Sequence, residues 1–513
     1  MPLLVVFLTV GSLFAQTPNP VGRMAEWGRI RTGAASILGW KVGIAAASFP
    51  RLTLSEVAAK ADELGLSAIA GSSSQNISPE IPKKLDYNLA PGEVTWVKEK
   101  LRAANVRMPA YQVPAIGLDE PAMRKLFEFA KSLGVEAIIL ASDPSRALTD
   151  KLANEYSIRV ARPDDNNRVV VDLTRAGVTN LPAFLRQAFD GRLKPALIIV
   201  DPGSIERFEE ALRPIIADRV NEISRTAAIR GPDRLSPDDR NKIQAALPDT
   251  APAKPKKPRQ LLVMDLNVGY PGHRSIPHAN LAIESMGKKT GAYEAVFSND
   301  LGNLKYDKIR QFDAVYLNNT VGMIFPDSQV RDGLIRFIRE GGGLGGNHAT
   351  SHASMDWSEF GEMLGAKGGS HREPTERAVV KIDDPAGPLT APFGGEAFLH
   401  EDEFFRYVPG LYSREKLRVL LSIDVEKTDM NQGRPCARCF RPDHDYGLSW
   451  IRSYGKGRVF YCALGHGPAM FTTPALVQHL LAGLQFILGD LEADTTPSAR
   501  LATKLPAGIQ TRR

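Results

Sequence analysis

Residues 337–353 read FIREGGGLGGNHATSHA, and the fold of the second half of the chain is decided by how they are parsed. Leu334, Ile335, Phe337 and Ile338 repeat at the helical interval, so an amphipathic helix spanning 327–339 runs into three glycines. A short apolar strand step follows at 343–346, and the chain turns at Gly345-Gly346-Asn347-His348. Glycine allows the positive φ of such a corner and lets other backbone approach closely. In an open α/β sheet, ligands bind at the carboxyl end of a central strand, and a side chain on the strand-to-helix turn is presented to them. Here that side chain is His348, the candidate centre of an active pocket.

Working outward, apolar runs at 261–265, 293–298 and 314–318 precede the corner, and runs at 378–382, 417–423, 447–454 and 457–464 follow it. A closing helix is expected over 474–488. The order predicts a flavodoxin-like three-layer α/β domain over 260–490 with an antiparallel extension. All nine histidines lie at or beyond residue 273, so chemistry that needs imidazole belongs to this half.

The motifs GHRSIPHAN, FDAVYLNNT, IREGGGLGGNHATS, WSEFGEMLGA, GSHREPT, HEDEFFRY, VLLSID and SWIRSYGKGRVFYCALGH, read in that order, resemble the ThuA-like family. These are trehalose-utilisation relatives of the class I glutamine amidotransferases. Amidotransferases carry a cysteine on this corner. The matching position here is His348, and all three cysteines (Cys436, Cys439, Cys462) fall far downstream, which excludes a thioester glutaminase. Imidazole on such a corner suits a general base or acid. The resemblance implies Asp402 and Glu403 as catalytic partners, and His273, His371, His466 and Asn347 as substrate-binding groups. A divalent metal is a candidate cofactor, with His348, His371, His466 and Glu403 as its ligand set. His352, at i+4 from His348, is expected to point away from the pocket. Trp357, Trp450, Phe404, Phe405 and Tyr407 form either a sugar-stacking wall or ordinary core. Cys436-x-x-Cys439 with His444 suggests a zinc knuckle or a redox pair, against the simpler reading of a loop disulfide or spectator thiols.

Over 40–230, short apolar runs (42–47, 67–70, 109–113, 136–141, 158–161, 196–200) alternate with amphipathic helices, which implies parallel βα units. Six are counted, against eight in a closed barrel. The segments GIAAASF, ADELGLSAIAG with Gln75, KLDYNLAPGE, FEFAKSLGVEAIILAS, KLANEYSIRVA and LIIVDPGS resemble the sugar phosphate isomerase/epimerase family of xylose-isomerase-like barrels. The resemblance implies a divalent metal held at strand ends, yet Ala70, Arg162 and Ser204 stand where its ligands are expected, and Asp201 alone survives. The expectation is a degenerate, incomplete TIM-type barrel without catalysis, with Asp143, Asp164, Asp165 and Asp201 as a residual carboxylate cluster.

A capped helix and a Pro/Lys-rich solvated linker (231–259) divide the halves, and a loose tail is expected over 491–513. The opening run MPLLVVFLTVGSLFA reads as a signal peptide over 1–15, which implies a periplasmic or secreted bacterial protein. No later run is long enough to span a bilayer. A formal charge of +6 over 513 residues, partly confined to the linker, excludes a nucleic-acid surface. The resulting expectation is an isomerase, lyase or hydrolase acting on a small-molecule sugar or keto-sugar. The alternative is a non-catalytic protein that binds a glycan or a partner. Oligomeric state is not legible.

Overall fold

The computed structural model describes residues 37–114, 119–164, 169–174, 180–433, 435–436 and 439–501. The signal peptide expected at 1–15 lies outside them, as does Asp165. Seven parallel strands build the first half: β1 (Val42–Ala45), β2 (Ala68–Ser72), β3 (Arg107–Val113), β4 (Ala137–Leu140), β5 (Arg159–Ala161), β6 (Val170–Asp172) and β7 (Leu197–Ile199). Their order, β5-β4-β3-β2-β1-β7-β6, pairs the first strand with the last and leaves one seam, between β5 and β6. This is a nearly closed TIM-like barrel. It has one strand more than the six read from sequence, because β6 is only three residues long. Its inward face is narrow and methyl-lined, with Ala45, Ala68, Ala70, Ala110, Ala137 and Ala196 all buried.

The second half is a nine-stranded mixed sheet: β8 (Gln260–Met264), β9 (Glu294–Phe297), β10 (Ala314–Asn318), β11 (Gly343–Asn347), β12 (Glu376–Ile382), β13 (Phe398–Asp402), β14 (Arg418–Ile423), β15 (Gly447–Tyr454) and β16 (Gly457–Cys462), ordered β13-β12-β14-β15-β16-β11-β10-β8-β9. β11 is central, between parallel β10 and β16. Its glycines have a packing reason. A Cβ on Gly343 would sit 2.1 Å from the Ile487 carbonyl oxygen, and one on Gly345 2.7 Å from the Tyr316 ring. The apolar helix Pro474–Leu488 therefore lies directly on the strand's backbone.

Four successive antiparallel pairings separate β16 from β13. An even number of reversals leaves β13 running in the same sense as β11, so both strands end at the same edge of the sheet. That edge is where the site is built.

Two expectations about connecting segments are corrected. The Pro/Lys linker is solvent-exposed at its lysines, as expected, but it is not a free hinge. Ala253 and Gln485 exchange hydrogen bonds of 2.8 and 2.6 Å, Lys256 N donates to Asp490 at 2.9 Å, and Arg259 clamps Asp490 and Asp313. The tail is not loose over its described part, since Ser498 N donates to the Leu417 carbonyl and its hydroxyl accepts from Val419 N, both at 2.9 Å. The helix Pro237–Ala246 is capped by Ser236, as its sequence implied. The halves are tied together. Arg230 N and Nη1 donate to Asp265 at the end of β8, and Asn221 donates to Asp327 at 3.0 Å.

Candidate active site

His348 is the first residue after β11 and carries φ +41°, in the left-handed region that a residue with a Cβ seldom occupies. A five-residue 3₁₀ turn, His348–His352, follows in place of a full helix. The strained corner is held from two sides. The Tyr461 hydroxyl donates to the His348 carbonyl at 2.6 Å, and His348 Nδ1 lies 3.0 Å from the Ala463 carbonyl oxygen. A carbonyl can only accept, so Nδ1 carries the proton and the Nε2 lone pair faces the pocket.

What it faces is Glu403, just past the end of β13. His348 Nε2 and His466 Nδ1 each lie 3.3 Å from Glu403 Oε2, and 3.3 Å from each other. His371 Nδ1 lies 3.1 Å from the other oxygen, Oε1. The His273 ring stands at right angles to that of His348, with centroids 4.9 Å apart. His273, His348, Glu403 and His466 offer ligand atoms that all lie within 4.8 Å of one another, and so could hold a metal ion. His371 belongs to the other side of the carboxylate, so the ligand set expected from sequence exchanges His371 for His273.

Burial would raise the Glu403 carboxyl, but the facing imidazoles, His348 first and then His466, outweigh it and hold the group well below the usual carboxylate range. Burial, reinforced by the neighbouring imidazoles of His348 and His466, keeps His273 neutral, well below the ordinary histidine value. Burial also opposes protonation of His466, but its bond to Glu403 prevails and raises it. Electrostatically, this is one carboxylate shared among several rings, with a neutral imidazole beside it.

Asp402 has a different task from the one the sequence suggested. Its Oδ2 accepts from Gly465 N at 2.7 Å, and its Oδ1 from Gly467 N at 3.2 Å and Glu403 N at 2.9 Å. It pins the turn that carries His466 rather than touching the pocket. The strand ends at Asp402, and the chain leaves it there, so that Glu403 enters the site and Asp402 does not. Asn347 is fully buried beside Gly465, with neither side-chain atom hydrogen-bonded among the described residues. His352 is outside the ligand group, packed on Phe405 with centroids 4.4 Å apart. The Phe405 ring also stacks on His348 at 4.4 Å.

The aromatic residues considered as a sugar wall (Trp357, Trp450, Phe404, Phe405, Tyr407) are all buried core. Sequence reading missed Tyr270, half-buried with its ring 5.2 Å from that of His273. It also missed the Arg406–Glu376 pair, two bonds of 2.7 Å that lock the segment bearing His371 against the end of β13. The clue to Tyr270 was its place in the loop after β8, three residues before His273. The pair left no local clue, because its members are 30 residues apart.

In the barrel, the expected carboxylate cluster does not form among the described residues. Asp143 bonds Arg162 at 2.8 Å, Asp164 bonds Arg146 at 2.9 Å, and Asp201 caps Gly203 N at 2.9 Å. Cys436 and Cys439 form a disulfide, and Cys462 is a buried free thiol on β16. Among the described residues, no helix is long and apolar enough to cross a membrane.

Comparison with known proteins places the second half. Residues 260–487 match the family model of ThuA, trehalose utilisation. No curated protein matches. Among solved structures, the chain is similar to a ThuA-like protein from Bacteroides uniformis (18% identity, 48% of this chain and 98% of that one, TM-score 0.40). It is also similar to an exo-β-1,4-mannosidase from an Opitutaceae bacterium (11% identity, 87% and 96%, TM-score 0.27). A third similarity is to a xylose isomerase from Rhodospirillum rubrum (10% identity, 55% and 77%, TM-score 0.16). The second half of this chain, with its histidine-bearing corner, is a ThuA domain, joined to a nearly closed parallel barrel.

Proposed function

We propose that this protein is an exported enzyme of carbohydrate catabolism that acts on a sugar or keto-sugar in the ThuA pocket, with a divalent ion as cofactor. The observation that carries the reading is Glu403, a buried carboxylate met by His348, His371 and His466 at 3.1–3.3 Å. Substrate chemistry follows from how the groups differ. The neutral His273 accepts a proton from a carbon or hydroxyl next to a carbonyl, while the His348–His466–Glu403 face addresses the oxygen on which charge develops. The family's trehalose-utilisation description supports carbohydrate as the substrate class, and the apolar run ending at Ala15 supports export. The test is turnover of a panel of keto-glycosides and their parent sugars by the full chain, with and without chelator. A His348→Ala variant with full turnover on the active compound would remove the reading. A second reading, a glycan- or partner-binding role, is favoured for the barrel half alone, where Arg162 and Arg146 take up the carboxylates.

A further inference from the structure

Three atoms in the ThuA pocket are equally spaced: His348 Nε2, His466 Nδ1 and Glu403 Oε2, at 3.3 Å on every side. That spacing is long for charge-assisted hydrogen bonds, which close to about 2.7–2.9 Å. It is, however, the edge of a tetrahedron. Ligand bonds of about 2.0–2.1 Å to zinc give an edge of roughly 3.3 Å. We infer that these three atoms are the protein ligands of a tetrahedral divalent zinc-class ion, with the fourth position open to water or substrate and facing His273. The inference deepens the proposed function by naming the ion's class, its ligands and the side from which substrate reaches it.

Independent features support a built site. Each ligand has its orientation fixed from behind, as metal ligands generally do. The Ala463 carbonyl takes the Nδ1 proton of His348 and leaves Nε2 as the donor atom. The second oxygen of Glu403 is turned to His371, 3.1 Å from its Nδ1, which leaves the carboxylate monodentate towards the other three donors. Asp402 pins the backbone on both sides of His466. His273 is buried, and its Nδ1 has no hydrogen-bond partner among the described residues. The donor set is mixed imidazole and carboxylate. It suits zinc and its first-row neighbours and is a poor match for magnesium, which prefers six oxygens. The His466 side chain is 30% exposed, so the ion has a route in.

The experiment uses the full chain stripped with chelator, then titrated with ZnCl2, CoCl2 or MgCl2. One equivalent of Zn²⁺ per chain is expected, with Mg²⁺ failing to compete. Co²⁺ should give the intense visible band of a four-coordinate ion. His466→Ala and Glu403→Gln should abolish stoichiometric binding. His371→Ala, which keeps all three ligands, should weaken it about 10–100-fold. His444→Ala, on the exposed disulfide loop, should change nothing. Zn²⁺ binding equal in the wild type, Glu403→Gln and His466→Ala would overturn the inference, and so would a six-coordinate cobalt spectrum. Should Glu403→Gln fail to fold, His466→Ala and His371→Ala carry the test. A chain that binds zinc but turns over no carbohydrate sinks the proposed function and leaves this site standing. An active chain that takes up no zinc does the reverse.

Discussion

Replacing Asp402 by Asn separates a positioning role from a catalytic one. The carboxylate is buried and accepts three backbone N–H groups, from Gly465, Gly467 and Glu403. Burial works against its charge, but His400, His348 and the Gly465 N–H outweigh it and hold its carboxyl below the usual value. Asn has the same shape but one acceptor oxygen. The amide oxygen can stay at the Oδ1 position, serving Gly467 and Glu403, and its NH2 then confronts Gly465 N. A hydrogen bond to a charged group contributes about 1.5–3 kcal/mol, and an orphaned buried donor costs about 1–3 kcal/mol. These overlap, so a loss of about 2–4 kcal/mol is expected in urea unfolding, with the slope against urea unchanged. The freed turn carries His466, so zinc affinity should fall about 10–100-fold. The refuting result is specific. An Asp402→Asn variant with wild-type stability and zinc affinity but no turnover would mean that Asp402 acts on substrate, and that its bonds to the glycine turn hold nothing.

Three further outcomes can be checked. His352 is held at about 3 by burial, with the neighbouring His348 imidazole acting in the same direction, and His479 at about 4 by burial. Both stay neutral in the fold while the unfolded chain protonates below about 6.5. Stability is therefore intact above that pH and falls as pH drops, by roughly 1.4 kcal/mol per unit for each ring. His479→Gln in chelator should flatten urea midpoints between about pH 6.5 and 5 by one ring's share, and an unchanged slope would refute the assignment. Gly368→Ala would place a Cβ 1.9 Å from His352 Cε1. It should cost about 1–3 kcal/mol in thermal unfolding, and less in a His352→Ala background, whereas strict additivity would show the contact to be irrelevant. Arg230 bonds Asp265 and also donates from Nη2 to the Pro271 carbonyl at 3.1 Å, steadying the loop before His273. Arg230→Ala should destabilise by on the order of 3 kcal/mol, and Arg230→Lys should recover the charge but not kcat/KM. Equal kcat/KM in the lysine variant and the wild type would sink that role.

Several elements were legible because local pattern and tertiary need agreed. β10, β15 and the helix Pro474–Leu488 fall where the apolar runs placed them. β13 was not, and the reason is physical. Its inward residues are His400 and Asp402, while Leu399 is 59% exposed, so its pattern is reversed. The same inversion hid the division of labour between Asp402 and Glu403. β6 was missed because three residues cannot display a period. The linker was misread as a hinge because its partners, Gln485 and Asp490, lie more than 200 residues away and no local rule supplies them. That His273, His348, His371, Glu403 and His466 share one pocket was expected from their places at strand ends, but which side of the Glu403 carboxylate each ring meets needed strand direction, which motifs alone do not carry.

The direction of proton traffic at the corner follows from what surrounds His348. A thiol in that position would need a base beside it. An imidazole needs something to decide which nitrogen faces the pocket, and the Ala463 carbonyl decides it. With Nδ1 committed as a donor, neutral His348 has no proton to give on the pocket side and only a lone pair to offer. In that form it can bind an ion or accept a proton, and it does not serve as the acid. Glu403, held ionised, is no acid either. In the resting pocket the proton that a leaving oxygen needs must come from water, from His466, whose protonated form Glu403 favours, from His371 or from the Tyr270 hydroxyl. Burial, together with the Glu403 charge, raises that hydroxyl's pKa and keeps it protonated. Tyr270→Phe should therefore slow any step that expels an oxygen while leaving zinc affinity at the wild-type value. Full activity in that variant on a substrate with an unactivated leaving group would assign the acid elsewhere.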